Sequence, residues 1–302
     1  MFLRRAVFPR RAAVLVAAAA LTATAACSSG DDTSTGSGDT PKVDTSASFK
    51  AGTTMAKLKS KGTIVIGTKK DQPGVAFQNA ASGKFEGFDI EMAKIVASKL
   101  GLDPNDPKQV QFKEVVSKNR ETFVRTGTID IMIGSYSITD KRKKLVDFAG
   151  PYYVTGQQLL VKKDDDSIKG PEDLKGKKVC SVTGSTSIDT VETKYGANPV
   201  PFDTYTECVD QLKNGSVDAV TTDGAILLGF ASKSPDELKV VGDAFSTENY
   251  GMGLKKGDAD FRSFLNDTIE GAEKDGTWKT AFDSTLGKAG VKAPKPPKVD
   301  RY

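Results

Sequence analysis

Two short segments of this 302-residue chain echo one another. Gly127-Thr-Ile-Asp-Ile-Met132 is matched by Gly215-Ser-Val-Asp-Ala-Val220. Each follows an amphipathic helical stretch (about Arg120 to Arg125, and about Cys208 to Lys213) and leads into a polar loop. Two copies so far apart are too few for a solenoid, so they predict two lobes of similar helix–glycine–strand construction. Around them, apolar runs at Thr63–Thr68, Val110–Phe112, Ile129–Ile133, Leu159–Val161 and Lys178–Val182 read as strands. Helical periodicity lies between them. In Gly87–Leu100, the side chains of Met92, Ile95, Val96 and Leu100 share one stripe, with Asp89 and Glu91 in the first turn, where negative charge suits the helix dipole. Such alternation predicts an α/β chain with a mainly parallel sheet in each lobe.

Charge narrows the function. The chain carries 43 Lys+Arg against 39 Asp+Glu, an excess that invites a nucleic-acid reading. Arg4, Arg5, Arg10 and Arg11, however, lie in the first 26 residues, which hold no acid. Without them the body is formally neutral and offers no electrostatic case for DNA or RNA. The chain contains no histidine, which excludes Ser-His-Asp and Cys-His catalysis and any His-ligated metal. Neither a metal nor a cofactor is expected.

A basic start, an apolar run from Ala12 to Leu21 and small residues up to Cys27 read residues 1–26 as a secretory signal peptide. The run is short for a membrane span. Leu21-Thr-Ala-Thr-Ala-Ala26 resembles a bacterial lipobox, with Thr24 at a position that is usually aliphatic, and makes Cys27 the expected lipidated residue. Plain secretion is the alternative. Residues 27–54 hold almost no large apolar side chain and are expected to form a flexible tether. Behind a lipid, such a tether would place the body just outside a membrane. Residues 288–302, rich in Lys and Pro, are also expected to be disordered.

The run ending at Ile133 opens into Gly134–Tyr153, which contains Ser137, Thr139 and Arg142 and closes on Gly150-Pro151-Tyr152-Tyr153. Hydroxyls, backbone N–H groups and a forked guanidinium at a strand end suit a small carboxylate; a polar loop with a surface arginine is the plain alternative. The order Gly87, aromatic, acid, aliphatic, acid and amphipathic helix resembles the signature of the extracellular solute-binding proteins of polar amino-acid ABC transporters. Ser137-Ile-Thr-Asp-Lys-Arg142, Val146-Asp-Phe148 and Pro151-Tyr-Tyr153 resemble that family's ligand loop and the strand entering its hinge. More narrowly, Asp71-Gln-Pro-Gly74, Ser117-Lys-Asn-Arg120 and Asp218-Ala-Val-Thr-Thr-Asp223 resemble glutamate-binding lipoproteins of actinobacterial uptake systems.

The resemblance covers roughly Met55 to Leu286 and implies a two-lobed periplasmic-binding-protein ("Venus flytrap") fold. Lobe one would comprise residues 55–154 and 250–287 and lobe two residues 155–249, joined by two crossover strands. It implies that Arg142 clamps an α-carboxylate, helped by Ser137 and Thr139, and that Ser185 and Thr186 close on the same group from lobe two. Asp223 would take the α-ammonium. Arg120 and Lys69 are candidates for a distal carboxylate, which favours glutamate over glutamine or aspartate. A monomeric carrier would deliver the amino acid to a membrane permease driven by a cytoplasmic ATPase. An exported enzyme on the same fold, such as a cyclic-acid dehydratase, or a sensor domain are the alternatives. With Cys27 assigned to lipid, Cys180 and Cys208 form an even remainder in an exported chain, which suggests a disulfide within lobe two.

Overall fold

Ile64 and Ile66 are fully buried and begin the first of two five-stranded sheets. The computed structural model of the chain describes residues 41–302; the expected signal peptide, Cys27 and the first part of the tether lie outside the described residues. Lobe one contributes β1 (Ile64–Thr68), the small hairpin strands β2 (Asp71–Gln72), β3 (Ala76–Gln78) and β4 (Phe85–Glu86), then β5 (Val110–Glu114), β6 (Ile131–Met132) and β7 (Asp147–Thr155). Lobe two contributes β8 (Gln157–Lys162), β9 (Lys178–Val182), β10 (Asn198–Phe202), β11 (Ala219–Asp223) and β12 (Leu238–Val241), after which β13 (Glu248–Leu254) returns to lobe one. The sheet orders are β5-β1-β6-β13-β7 and β10-β9-β11-β8-β12. Three strands of each sheet, β5-β1-β6 and β10-β9-β11, run parallel in the same order. The two-lobed α/β architecture expected from the sequence is present.

The echo has a physical meaning at this level. Gly127 and Gly215 end their helices in the left-handed region, at φ 71° and 81°, which glycine enters without a Cβ clash. Three residues on, Asp130 Oδ2 accepts the Val65 N–H at 2.8 Å, and Asp218 Oδ2 accepts the Lys178 N–H at 2.7 Å. In each lobe one aspartate therefore ties the middle strand of the parallel trio, β1 or β9, to the strand that follows the helix, β6 or β11.

The crossovers pair with one another. Glu248 of β13 stands opposite Thr155 of β7, and Tyr250 opposite Tyr153, in an antiparallel ribbon. Phe88, from the helix Phe88–Lys99, packs beneath this ribbon against Tyr152, Tyr153, Trp278 and Phe282, with ring centroids 5.5–6.1 Å apart. Trp278 Nε1 donates to the Tyr152 carbonyl at 2.8 Å. In lobe two, Cys180 of β9 and Cys208 of the helix Tyr205–Lys213 form the expected disulfide. Closing a loop of 28 residues stabilises by about 3.5 kcal/mol in the chain-entropy picture.

Two stretches expected to be disordered are instead held against lobe one. Within the tether, the Asp44 N–H donates to Ser98 O at 2.9 Å, and Phe49 meets Phe264 edge-on at 5.5 Å. At the other end, the Asp300 N–H donates to Gly150 O at 2.8 Å, and Tyr302 Oη accepts the Phe148 N–H at 2.9 Å. Arg301 pairs with Asp267 and Glu270 at 2.6 and 2.8 Å. The reason is an edge: β7 is the outer strand of its sheet, and its outward backbone groups need partners.

Asp130→Ala should destabilise by about 1–3 kcal/mol, because it leaves a half-buried strand N–H unpaired, and Asp218→Ala by about 0.5–1.5 kcal/mol, because water can reach the Lys178 N–H. Urea unfolding of the two variants checks this; a negligible change in both would remove the shared role.

Candidate functional site

The carboxyl ends of the parallel strands in the two lobes face a common cleft. On its lobe-one wall, Ser117, Arg120, Ser135, Ser137 and Arg142 line a small, tightly closed cavity. The lobe-two wall is Ser185, Thr186, Ser187, Tyr205, Thr222, Asp223 and Ile226. Arg120, Ser137, Arg142, Ser185, Thr186 and Asp223 are thus brought together.

Each guanidinium is held by backbone carbonyls. Arg142 donates to Ser137 O at 2.7 Å and Gly184 O at 3.1 Å, and its Nε lies 3.4 Å from Glu121 Oε1. Arg120 donates to Ser117 O, Ser135 O and Gly184 O at 3.2–3.3 Å. Both lie over the Tyr136 ring, 4.4 and 5.2 Å from its centroid. With three of five donors used, each fork retains two N–H groups for an acceptor in the cavity. Burial, and then the neighbouring Arg142, push Arg120 down to about 10, which leaves it charged at neutral pH. Gly184 belongs to lobe two, so its carbonyl ties both lobe-one arginines across the cleft.

The lobe-two wall divides into donors and acceptors. Ser185 caps the helix Thr186–Tyr195, accepting the Ile188 N–H at 3.1 Å. Ser181 donates its own proton to Thr221 O, so in the 3.2 Å Ser181–Ser185 contact Ser185 is the donor. Its hydroxyl is therefore engaged inside lobe two. The N–H groups of Thr186 and Ser187 open the helix and by geometry have no carbonyl within it, which makes this wall an anion-accepting one. Asp223, at the end of β11, is the acceptor. Its Oδ2 takes the Tyr250 hydroxyl at 2.5 Å, while Oδ1 is buried and has no partner among the described residues. Burial, reinforced by Glu248, pushes its carboxyl up to about 7.

Two expected members stand elsewhere. Thr139 caps the short helix Asp140–Lys143, its hydroxyl accepting the Arg142 N–H at 3.2 Å, so it fixes the backbone of Arg142 from outside the cavity. Lys69 is buried, and its Nζ donates at 2.9 Å to Val115 O and Ser117 Oγ. It lines a neighbouring space with Asp71 and Gln72. Burial drives its ammonium well below the ordinary lysine range, with Arg120 adding to the effect.

The family model for bacterial extracellular solute-binding proteins, family 3, matches residues 64–288. The chain belongs to this family. It is 38% identical over 234 residues to the glutamate-binding protein GluB of Corynebacterium efficiens, covering 75% of this chain and 79% of that one. It is 39% identical to the ABC transporter glutamine-binding protein GlnH of Bacillus subtilis, covering 76% and 83%. Among solved structures it resembles an ancestral arginine-binding protein bound to glutamine, with a TM-score of 0.69, 39% identity and coverage of 75% and 98%.

In this family 3 solute-binding protein, several residues take site roles that the sequence reading does not assign to them. Asp89 looks like a helix-dipole acid, yet it is fully buried, accepting the Ser135 N–H and the Tyr152 hydroxyl, both at 2.7 Å. Burial pushes it up to about 6. It holds Ser135 at φ 43°, a conformation uncommon outside glycine. Ser117, Ser135, Gly184 and Tyr250 likewise acquire roles only in three dimensions. Closure is also shaped by Gly229, where a Cβ would come within 2.1 Å of the Pro73 carbonyl oxygen of lobe one.

Gly229→Ala should hold the lobes apart, because alanine suits a helix but collides with the opposite lobe. A larger radius of gyration in small-angle scattering with an unchanged melting temperature is expected; an unchanged radius would show that the contact yields.

Proposed function

We propose that the protein is the extracytoplasmic carrier of an ABC importer for a polar amino acid, with glutamate as the favoured ligand. The observation that carries this reading is one cavity with two buried guanidiniums on one wall and, on the other, a buried carboxylate with an unused oxygen. An α-amino acid presents the complementary charges, and burying either unpaired is costly. Arg142 and the N–H groups of Thr186 and Ser187 take the α-carboxylate, and Asp223 takes the α-ammonium. Arg120, beside Ser117, takes a distal carboxylate. The relatives named for glutamate and glutamine binding support the ligand class, and the second cation favours the acid. The ligand docks on lobe one, and bending of the β7–β13 ribbon brings lobe two onto it. The closed, monomeric form then delivers the ligand to a permease driven by a cytoplasmic ATPase, with Cys27 as the lipid anchor.

A thermal-shift screen against the twenty amino acids tests the reading; glutamate should give the largest shift, and no shift with any of them would overturn it. Arg142→Ala should weaken binding on the order of 100-fold or more, since it strands a buried carboxylate, and calorimetry reads this directly. The pH dependence follows from Asp223. Its carboxyl is raised to about 7 in the closed lobes without ligand, and an ammonium beside it favours the ionised form. Binding therefore releases a proton. Affinity should rise with pH, by up to about tenfold per unit below 7, and level off above it. A flat profile from pH 5.5 to 8 would be inconsistent with Asp223 as the ammonium partner.

A further inference from the structure

Glu248 has no part in the scheme above, yet it is buried at the mouth of the hinge, where β13 begins opposite Thr155. Its Oε1 accepts the Ser246 hydroxyl at 2.9 Å. Its Oε2 accepts the Thr186 hydroxyl at 3.0 Å. A hydroxyl has one proton and two lone pairs, and a carboxylate only accepts. The Thr186 proton is therefore committed to Glu248, and what its oxygen offers the cavity is lone pairs. A donor role toward a ligand carboxylate is left to the Thr186 backbone N–H.

An alkylammonium brings three N–H groups, and each one buried without an acceptor costs free energy. Asp223 Oδ1 has no partner while Oδ2 already takes the Tyr250 hydroxyl, and one carboxylate cannot face all three diverging N–H groups of an ammonium. Thr186 and Asp223 line the same cavity from the same lobe. We propose that Glu248 is a positioning residue that orients the Thr186 hydroxyl as the second acceptor of the ammonium subsite, so that Thr186 Oγ1 and Asp223 Oδ1 hold the α-ammonium together. The inference rests on the amino-acid reading of the cavity. Its consequence is discrimination between an amino acid and the same acid without its amino group. Glu248 also contributes negative charge near Asp223, which is faced in addition by Tyr250, Arg142 and Arg120.

The test compares L-glutamate with glutarate, and L-glutamine with glutaramate, by displacement calorimetry at pH 7.5 on the wild-type protein and on Glu248→Gln, Thr186→Val and Thr186→Ser. Glu248→Gln and Thr186→Val should each reduce the preference for the amino acid over its des-amino partner at least tenfold, and Glu248→Gln should leave the des-amino affinity within about twofold. Thr186→Ser should restore the wild-type preference, because it keeps the hydroxyl. The proton released on binding at pH 7 should also shrink in Glu248→Gln, which removes a charge that favours protonation of Asp223. Equal losses for both members of a pair, or an unchanged preference, would overturn the assignment while leaving the amino-acid reading intact. A wild-type protein that binds neither amino acid would overturn both.

Discussion

A carboxylate closed off from water couples the ligand loop of lobe one to the strand that crosses to lobe two. Asp89 accepts one bond from the loop that leads into the Arg142 helix and one from the strand that becomes the hinge. Through Ser135 it sets the carbonyl that holds Arg120. Through Tyr152 it orients the strand whose carbonyl receives Trp278. Burial raises its carboxyl to about 6, and these two bonds work against that rise. The aim of the guanidiniums and the placement of the crossover are therefore not independent.

The charges of the cleft are divided between the lobes. Lobe one brings Arg120 and Arg142, with Glu121 3.4 Å from Arg142 as partial compensation. Lobe two brings Asp223 on β11, and the returning crossover adds Glu248. Closure thus brings opposite signs together where water is scarce and electrostatic interactions are strong. Exposed pairs at the rim, such as Lys118 with Asp203 at 2.7 Å, add little energy but help to set how the walls meet.

Much of this was legible in the residues. The echoed Gly-x-x-Asp segments predicted two similar lobes, and both aspartates serve the same backbone bond. The helix at Gly87 and the loop around Arg142 pointed to the family. What was not legible depends on contacts between distant segments. The edge strand β10 is hidden by Pro199 and Pro201, which suit an edge because they lack the N–H a central strand would need. Thr139 and Lys69 carry the right chemistry at the right distance along the chain. Nevertheless, one is consumed in capping a helix and the other in bonding Val115 and Ser117. Ser185 is in the right place, but its hydroxyl is drawn into lobe two. Hydroxyl polarity is set by neighbours, and Glu248 lies 62 residues beyond the threonine that it orients.

The segment ending in Arg301 and Tyr302 does more than fill space along β7. The Gly150 N–H already finds Asn266, while Gly150 O and the Phe148 N–H find Asp300 and Tyr302. All of these partners belong to lobe one, so the segment travels with that lobe and leaves the hinge free to bend. It also passivates the long outer strand of the sheet. A second copy meeting this face encounters a ladder already satisfied, so the chain can flex repeatedly without offering its own edge as a seed for strand-to-strand polymerisation.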